Sequence, residues 1–491
     1  MRSSLLPRPT LTSPAPPPSA LPLYVDLDGT LFPGDTLHES VLLLLRRNPF
    51  NLLRLVAWLL QGRLAFKRQV ADAVRFDAAL LPYRADFVAF LRAEWARGRP
   101  LVLATAADAR IAAAVAEHLG VFRDHLGSDD VNLKGARKRE AIERHSGGAY
   151  AYAGNDAADL AVWQGAEQAV AVNAPAGVLR RLRARHPSAQ VFAREPLGLR
   201  TLLKAIRLQQ WSKNVLMFVP LLAGHVSDAG AWGAAKLAFV AFGLVASATY
   251  LVNDLLDLPN DRRHASKRAR PLASGRLGIA TGVALAAGLA TAGFLLAIAA
   301  SPSFALMLAG YTVITLAYSL WLKSRALLDV LVLAGLYTWR IMAGAVVAEV
   351  ALSNWLLAFS MFLFLSLALV KRCAELEEMI DSERTHTPGR GYLLADLATL
   401  RGMGMASGFL AVMVLALYID SQNGKTLYPA AEWLWGLAPL LLAWVMRIWL
   451  KVARRELRGE DPVAFALKDR YSWVTLLAMG GFAVLASKGL G

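Results

Sequence analysis

Apolar and polar positions follow two regimes along the chain. Up to about residue 200, short apolar runs of strand length alternate with amphipathic stretches of helical period. Pro22–Leu27, Pro100–Thr105, Ala149–Gly154 and Gln168–Asn173 read as strands bounded by turn residues. Helical patterns between most of them predict a doubly wound parallel sheet of the α/β class. Residues 36–98 read as helical and interrupt the sheet after its first strand, as a cap. Within that stretch Val41–Leu60 is strongly apolar, with Arg46, Arg47 and Arg54 interspersed. A helix pair lying on a membrane surface and a buried cap core both satisfy this pattern. Residues 1–20, rich in Pro and Ser, read as disordered. The expected division is 21–198 for the α/β domain and 199–491 for an all-α membrane domain.

From Leu203 onward the apolar segments reach membrane length. Nine are expected, near 206–226, 232–252, 278–300, 303–322, 327–349, 354–371, 402–420, 428–450 and 471–488. If the first enters from the cytoplasm, the returning loops are Asp254–Leu277, Leu322–Leu327, Lys371–Arg401 and Lys451–Arg470. These hold nearly every Lys and Arg of the membrane half, and the opposite loops offer only Lys425. The bias places the α/β domain and every acidic motif on the cytoplasmic face of a multi-pass protein, the bacterial inner membrane being the setting.

Composition agrees with this division. Mean hydropathy of +0.40 and 56% hydrophobic residues exceed what a soluble globule carries. The net charge of +16 is concentrated in the loops assigned to the cytoplasm, so it points to anionic lipid and phosphorylated substrates rather than nucleic acid. The lone Cys373 excludes an intrachain disulfide. No signal peptide is expected, because Pro interrupts the first apolar run. Self-association into a homo-oligomer is left open by the sequence.

One run stands out in the membrane half: Asn253-Asp254-Leu255-Leu256-Asp257-Leu258-Pro259-Asn260-Asp261, at the end of an apolar segment. Asn253, Asp257 and Asp261 recur every four residues, which lines them along one helix face. Acids at the end of a membrane span need a partner, and Mg²⁺ shared with a phosphorylated substrate supplies one. The basic string that follows, with Lys267, Arg268 and Arg270, suits the outer oxygens of the same anion.

In the α/β half, Asp26-Leu27-Asp28-Gly29-Thr30-Leu31 follows the first strand. Two acids one residue apart can divide the work of phosphoryl transfer, one attacking phosphorus and the other handling the proton. This segment resembles the first motif of the haloacid dehalogenase (HAD) superfamily, and the remaining motifs follow in order over residues 22–175. Thr105 matches the phosphate-binding hydroxyl. Lys134 matches the phosphate-stabilising lysine, with Lys138 as a second candidate. Gly154-Asn155-Asp156-Ala157-Ala158-Asp159 matches the acidic metal motif, with Asn155 where the family usually has Asp. The resemblance implies Asp26 as nucleophile, Asp28 as general acid/base, and Mg²⁺ held by Asp26, Asp28, Asn155 and Asp159.

Residues 200–490 resemble the UbiA superfamily of intramembrane transferases, in span number and in the acidic motif after the second span. Where a second Asp-rich motif is expected, the chain has Lys371-Arg372-Cys373-Ala374-Glu375. Gln210-Trp211-Ser212-Lys213-Asn214, Tyr318-Ser319 before Lys323, Lys371-Arg372, and Asp461 through Asp469-Arg470 resemble the decaprenyl-phosphate phosphoribosyltransferase branch. That resemblance implies 5-phosphoribosyl diphosphate (PRPP) as donor and a polyprenyl phosphate as acceptor. Asp254, Asp257 and Asp261 would hold Mg²⁺ against the diphosphate, with Asn253 beside them. Lys213, Lys267, Arg268, Arg270, Tyr318, Lys323, Lys371, Arg372, Glu375, Asp469 and Arg470 would bind phosphate or sugar. Fused to a phosphatase-like domain, such a transferase would yield a polyprenyl-phosphoryl ribose for cell-envelope glycans. The alternative is a prenyltransferase that moves an isoprenyl group onto an aromatic or glycerol-phosphate acceptor, with a degenerate or regulatory HAD-like domain.

Overall fold

The computed structural model describes residues 21–129, 131–194, 196–380, 390–457, 465, 466 and 468–488. Residues 1–20, expected to be disordered, and Asp461 lie outside the described residues. The chain divides into two compact units. One holds the residues up to Ile206 together with Tyr250–Ala286, and the other holds Arg207–Thr249 together with the chain from Ala287 on.

The first unit is built on a six-stranded sheet of order β3-β2-β1-β4-β5-β6. Its strands are β1 (Leu23–Val25), β2 (Leu101–Asp108), β3 (Asp124–Ser128), β4 (Ala151–Gly154), β5 (Gln168–Val172) and β6 (Gln190–Phe192). Every pairing is parallel, with Leu23 opposite both Leu101 and Ala151. Alternate residues feed two cores, one on each face. Leu23, Val25, Leu101 and Leu103 pack with Phe87, Leu91 and Val115 on one side. Tyr24, Val102 and Tyr152 pack with Ile142, Val162 and Trp163 on the other. The four strands read from sequence are present. The two edge strands were not legible, because Asp124-His125-Leu126-Gly127-Ser128 and Gln190-Val191-Phe192 bury too little to carry an apolar run.

The chain order reverses at β1, which makes the carboxyl ends of β1 and β4 a crevice. The loop after β1 enters that crevice, and three cap helices follow: α1 (Thr36–Arg47), α2 (Asn51–Leu60) and α3 (Arg63–Ala73). They share a small core of Leu44, Leu55, Val70 and Val74. Asp35 caps α1 by accepting from the N–H groups of Leu37 and His38. The cap is narrower than 36–98, because Phe87 and Leu91 of helix Ala85–Ala96 belong to the sheet core.

Tyr250–Ala286 packs into this unit through defined contacts. Arg262 on the short helix Leu258–Arg263 donates to both carboxylate oxygens of Glu39 on α1, at 2.9 and 2.7 Å, with both side chains nearly buried. Gly275 holds φ +74°, and a Cβ there would come 2.6 Å from Pro33. The loop that follows the second apolar segment is therefore fastened to the cap.

In the second unit the helices are antiparallel neighbours. Asn354–Ile380 packs against Leu328–Val347 and Leu394–Asp420. Among the described residues seven helices are long and apolar enough to cross a membrane: Ala229–Leu256, Ile279–Ala300, Pro302–Leu320, Leu328–Val347, Asn354–Ile380, Leu394–Asp420 and Ala431–Ala453. The first expected span differs. Residues 206–226 form a 3₁₀ run, Leu208–Phe218, and a short helix, Val219–Ala223. Buried Arg340 holds this run by its side chain, its Nε donating to Asn214 Oδ1 at 3.1 Å and its Nη2 to the Tyr311 hydroxyl at 3.0 Å. The last expected segment is helical as Arg470–Lys488, with Gly480 and Gly481 within it.

The Glu39–Arg262 pair makes a specific prediction. Removing one partner of a buried ion pair costs about 3–5 kcal/mol, whereas replacing both with apolar groups is often neutral. Arg262→Ala or Glu39→Ala should speed amide exchange in α1 and in Leu258–Arg263 together, and Glu39→Leu with Arg262→Met should restore protection. Unchanged exchange in the single variants would mean the contact does not fasten the loop.

Candidate active sites

The loop after β1 places Asp26 and Asp28 at the crevice. Asp26 Oδ1 accepts from Nζ of Lys138 at 2.8 Å, and the same ammonium lies 3.5 Å from Asp159. Lys138 also donates to the Tyr152 hydroxyl at 3.0 Å, which donates in turn to Asp159 Oδ1 at 2.7 Å. The second oxygen of Asp159 accepts from the N–H groups of Asn155 and Asp156, at 2.9 and 3.0 Å. Asp159 thus shapes the loop after β4 and steadies the lysine. Asp28 accepts from the N–H and hydroxyl of Thr36, the first residue of α1, at 2.8 and 3.2 Å. Gly29 at φ +75° lets Asn155 approach, because a Cβ there would lie 2.0 Å from its Nδ2. Thr30 donates to Asn155 Oδ1 at 3.3 Å.

A cavity of about 280 Å³ opens between this loop and the cap, with Asp26, Asp28, Asn155 and Asp159 on the sheet side and Thr36, Ser40 and Lys67 on the cap side. Two expected residues occupy other positions. Thr105 is fully buried, and its hydroxyl accepts from the Ala107 N–H, so the wall there is formed by Ala106, Ala107 and Asp108. Lys134 lines the cavity and is exposed, while the contact to Asp26 is made by Lys138. Sequence reading missed Lys67, which reaches from α3 to donate to Ala106 O at 2.9 Å and Asn132 Oδ1 at 3.1 Å. Nothing in its local pattern marks it, since the cap is rich in cations that face elsewhere.

Burial dominates the electrostatics. It pushes Asp28 up to about 8, aided by the charges of Asp35 and Asp26, with the Thr36 hydrogen bonds acting against it. Burial also lifts Asp26, but the Lys138 ammonium restrains the rise, to about 6. Asp159 is held below its ordinary value, because Lys138 and its hydrogen bonds more than offset burial. Two neighbouring acids with separated pKa values are the pattern of a base or nucleophile beside a proton donor. Among the described residues no three carboxylate, imidazole or thiol groups gather as a metal cluster. The oxygen donors present are Asp26, Asp28 and the Asn155 amide, hard ligands in a crowd of negative charge. That chemistry fits Mg²⁺.

The acid motif of the membrane half lies in the first unit as well. Asp254 Oδ1 and Asp261 Oδ2 both meet one atom, Nη1 of Arg270, at 3.0 and 2.6 Å, and both acids are buried. The Asp257 N–H donates to Asn253 O and the Asp261 N–H to Asp257 O, each at 2.9 Å, so the residues share a face as expected. Two carboxylates converge on one cation, which is the test that Mg²⁺ passes here on donor chemistry. Arg270, expected as an anion clamp, is bound to the acids instead. Lys267 and Arg268 are exposed on the turn just before it.

In the second unit, fully buried Asp329 gathers three partners. Arg372 pairs with it at 2.5 Å, Tyr318 donates to it at 2.7 Å, and Arg390 lies 3.4 Å away. Arg372 also pairs with Glu375. Arg372, Tyr318 and Glu375, expected to bind substrate, are thus knotted around Asp329. Lys371 and Lys323 are half-buried, and Lys213 lies 5.4 Å from the Tyr337 ring. Asp469 accepts from Arg447 at 2.6 and 2.9 Å and from the Ser472 N–H at 2.9 Å, as the N-cap of the last helix, with Arg470 exposed beside it.

Apolar helices of membrane length, with acids converging on a cation at the end of one of them, define an integral membrane protein. Residues 215–476 match the UbiA prenyltransferase family, and the chain belongs to that family. A protein of Sinorhizobium fredii, y4nM, is 40% identical over 465 residues, covering 92% of this chain and 88% of its own length. That span is longer than the membrane half, so the α/β domain is shared too. The decaprenyl-phosphate phosphoribosyltransferase of Mycolicibacterium smegmatis is 33% identical over 292 residues, covering 57% of this chain and 90% of that one. A solved UbiA homologue from Archaeoglobus fulgidus bound to GPP and Mg²⁺ is 15% identical, covers 57% of this chain and 99% of that chain, and gives a TM-score of 0.43.

The raised pKa values of Asp26 and Asp28 set a sign for stability against pH. The folded α/β domain binds more protons than the unfolded chain between the ordinary carboxylate range and about 8. Its stability should therefore fall as pH rises from about 5 to about 8 in EDTA. Mg²⁺ should raise the unfolding temperature most at the upper end, and Asp28→Asn should flatten the slope. A rise of stability with pH, or no response to Mg²⁺, would show that the acids are not crowded as described.

Proposed function

We propose that the membrane domain transfers 5-phosphoribose from PRPP to a polyprenyl phosphate with release of diphosphate, and that the α/β domain is a HAD-type phosphatase that then removes the 5-phosphate. The product is a polyprenyl-phosphoryl ribose, a lipid-linked pentose donor for envelope glycans. The observation that carries the reading is the meeting of Asp254 and Asp261 on the single nitrogen of Arg270. These acids are already aimed at a cation, and with Asp257 they would hold Mg²⁺, which neutralises charge building on a departing diphosphate. Arg270 would then be released toward the anion, joining Lys267 and Arg268. Within the second unit, the Arg372–Asp329–Glu375 knot keeps the helix that carries Lys371 in place. The lipid phosphate is anionic already, so attack on the anomeric carbon needs no strong general base. Similarity to a phosphoribosyltransferase over nearly the whole of that enzyme's length supports this donor over a prenyl diphosphate.

In the α/β domain Asp26 attacks phosphorus, Lys138 steadies its charge, and Asp28 passes a proton to the leaving ribose oxygen. The same carboxylate then takes a proton from the water that frees Asp26. Loss of phosphate would pull a reversible transfer forward.

The two steps separate by substitution. Asp257→Ala or Asp261→Ala should lower transfer by about 10²-fold or more while the protein stays folded in detergent. Asp26→Asn should still consume PRPP and accumulate lipid that retains its 5-phosphate. If wild type and Asp26→Asn give the same phosphorylated lipid, the α/β domain acts on something else. If Asp261→Ala transfers normally, the metal lies elsewhere.

A further inference from the structure

Helix α2 is seated by one narrow strip and bare on the rest. Leu55 enters the small cap core, and Asn51 donates from Nδ2 to Leu44 O at 3.0 Å. Around them Phe50 is 75% exposed, Leu53 72% and Leu60 85%, with Leu52, Val56 and Leu59 each more than half exposed. So many large apolar groups on one ten-residue helix make a contiguous patch that water does not tolerate without a partner.

The surrounding charge says what kind of partner. Between Glu39 and Asp72 the chain has no acid, yet it carries Arg46, Arg47, Arg54, Arg63, Lys67 and Arg68. The Arg54 guanidinium lies 5.0 Å from the centre of the Trp58 ring, so both present an apolar body with a polar end. An apolar face rimmed by arginines with tryptophan at its edge fits the boundary between acyl chains and anionic headgroups.

Position supports the same partner. Helix α1 is fastened to Arg262 through Glu39. Arg262 follows the last residue of the apolar helix Ala229–Leu256 by six positions, a reach of at most about 20 Å of chain. The cap is therefore tied close to the point where the chain leaves the bilayer.

We propose that the α1–α2 hairpin lies in the membrane–water interface with Phe50, Leu53 and Leu60 among the acyl chains. Resting on the phosphatase reading above, the hairpin also sets the α/β cavity against the bilayer. Helices α1 and α3, on either side of α2, line that cavity. A lipid-borne phosphate then reaches Asp26 while its hydrocarbon stays in the membrane.

The test uses the full chain with one cysteine introduced, Leu53→Cys or Leu60→Cys, and a bimane label. Unlabelled background comes from the parent, whose Cys373 is buried. Exposed Glu140, as Glu140→Cys, is the control on helix Ala136–Ser146, which packs on the sheet and is not part of the cap. In bilayers of anionic lipid brominated on the acyl chains, emission at Leu53→Cys and Leu60→Cys should drop at least about twofold against plain lipid, and at Glu140→Cys should not change. Labels at 53 and 60 no more quenched than the control would overturn the proposal. Blue-shifted emission without bromine quenching would overturn it too, since a second copy of the chain would then cover the patch. A second arm compares substrates. Leu53→Glu with Leu60→Glu should lose about tenfold in hydrolysis of a lipid-borne phosphomonoester and keep its rate on a small water-soluble one. Equal loss on both would contradict a role in lipid access. If wild type hydrolyses neither, the phosphatase reading fails while the quenching result still decides where the hairpin lies.

Discussion

Asp254 and Asp261 share one guanidinium nitrogen, and much of the chain is arranged around the need that contact expresses. Carboxylates removed from water demand a cation nearby. Asp26 and Asp159 answer it with Lys138, Asp329 with Arg372, and Glu39 with Arg262. In each case the cation comes from a different element than the acid. The pairs therefore fix tertiary structure as well as charge. At Asp26 and Asp28 burial, aided by neighbouring acids, raises the pKa values, and a divalent ion is the natural complement.

On the proposed function, these contacts would let two activities share one chain. The short helix carrying Asp261 carries Arg262 next to it, and Arg262 grips α1, whose first residue holds Asp28. One turn of helix separates Thr36 from Glu39. The acids of the α/β crevice and the acids Asp254 and Asp261, in the same compact unit, are thus connected through a few residues. If the two steps are consecutive as proposed, they would gain from such fastening, because the intermediate need not be found again in the bilayer.

Much of this was legible in the residues. Strands buried on both faces announce themselves as apolar runs, which is why β1, β2, β4 and β5 could be read and the edge strands could not. Asp26, Asp28 and the Asn253–Asp261 series were legible because their spacing carries chemistry. Pattern alone did not settle partners. Lys134 and Lys138 stand four residues apart, and only the burial of Lys138 beside Tyr152 selects it. Arg270 reads as an anion clamp in a basic string, yet a turn at residues 264–270 folds it back onto the acids. Arg372 likewise reads as a substrate ligand until Asp329, from another helix, is seen beneath it. The first expected span was misread because an apolar average conceals Pro220 and the polar run through Asn214.

The central claim is the identity of the donor. Purified protein in liposomes containing a polyprenyl phosphate, given PRPP labelled in its ribose carbons together with an unlabelled prenyl diphosphate, tests it directly by the mass and label of the lipid product. The account predicts labelled pentose on the polyprenyl phosphate, with diphosphate and then phosphate released. Label confined to the aqueous phase while the prenyl diphosphate is consumed would contradict it.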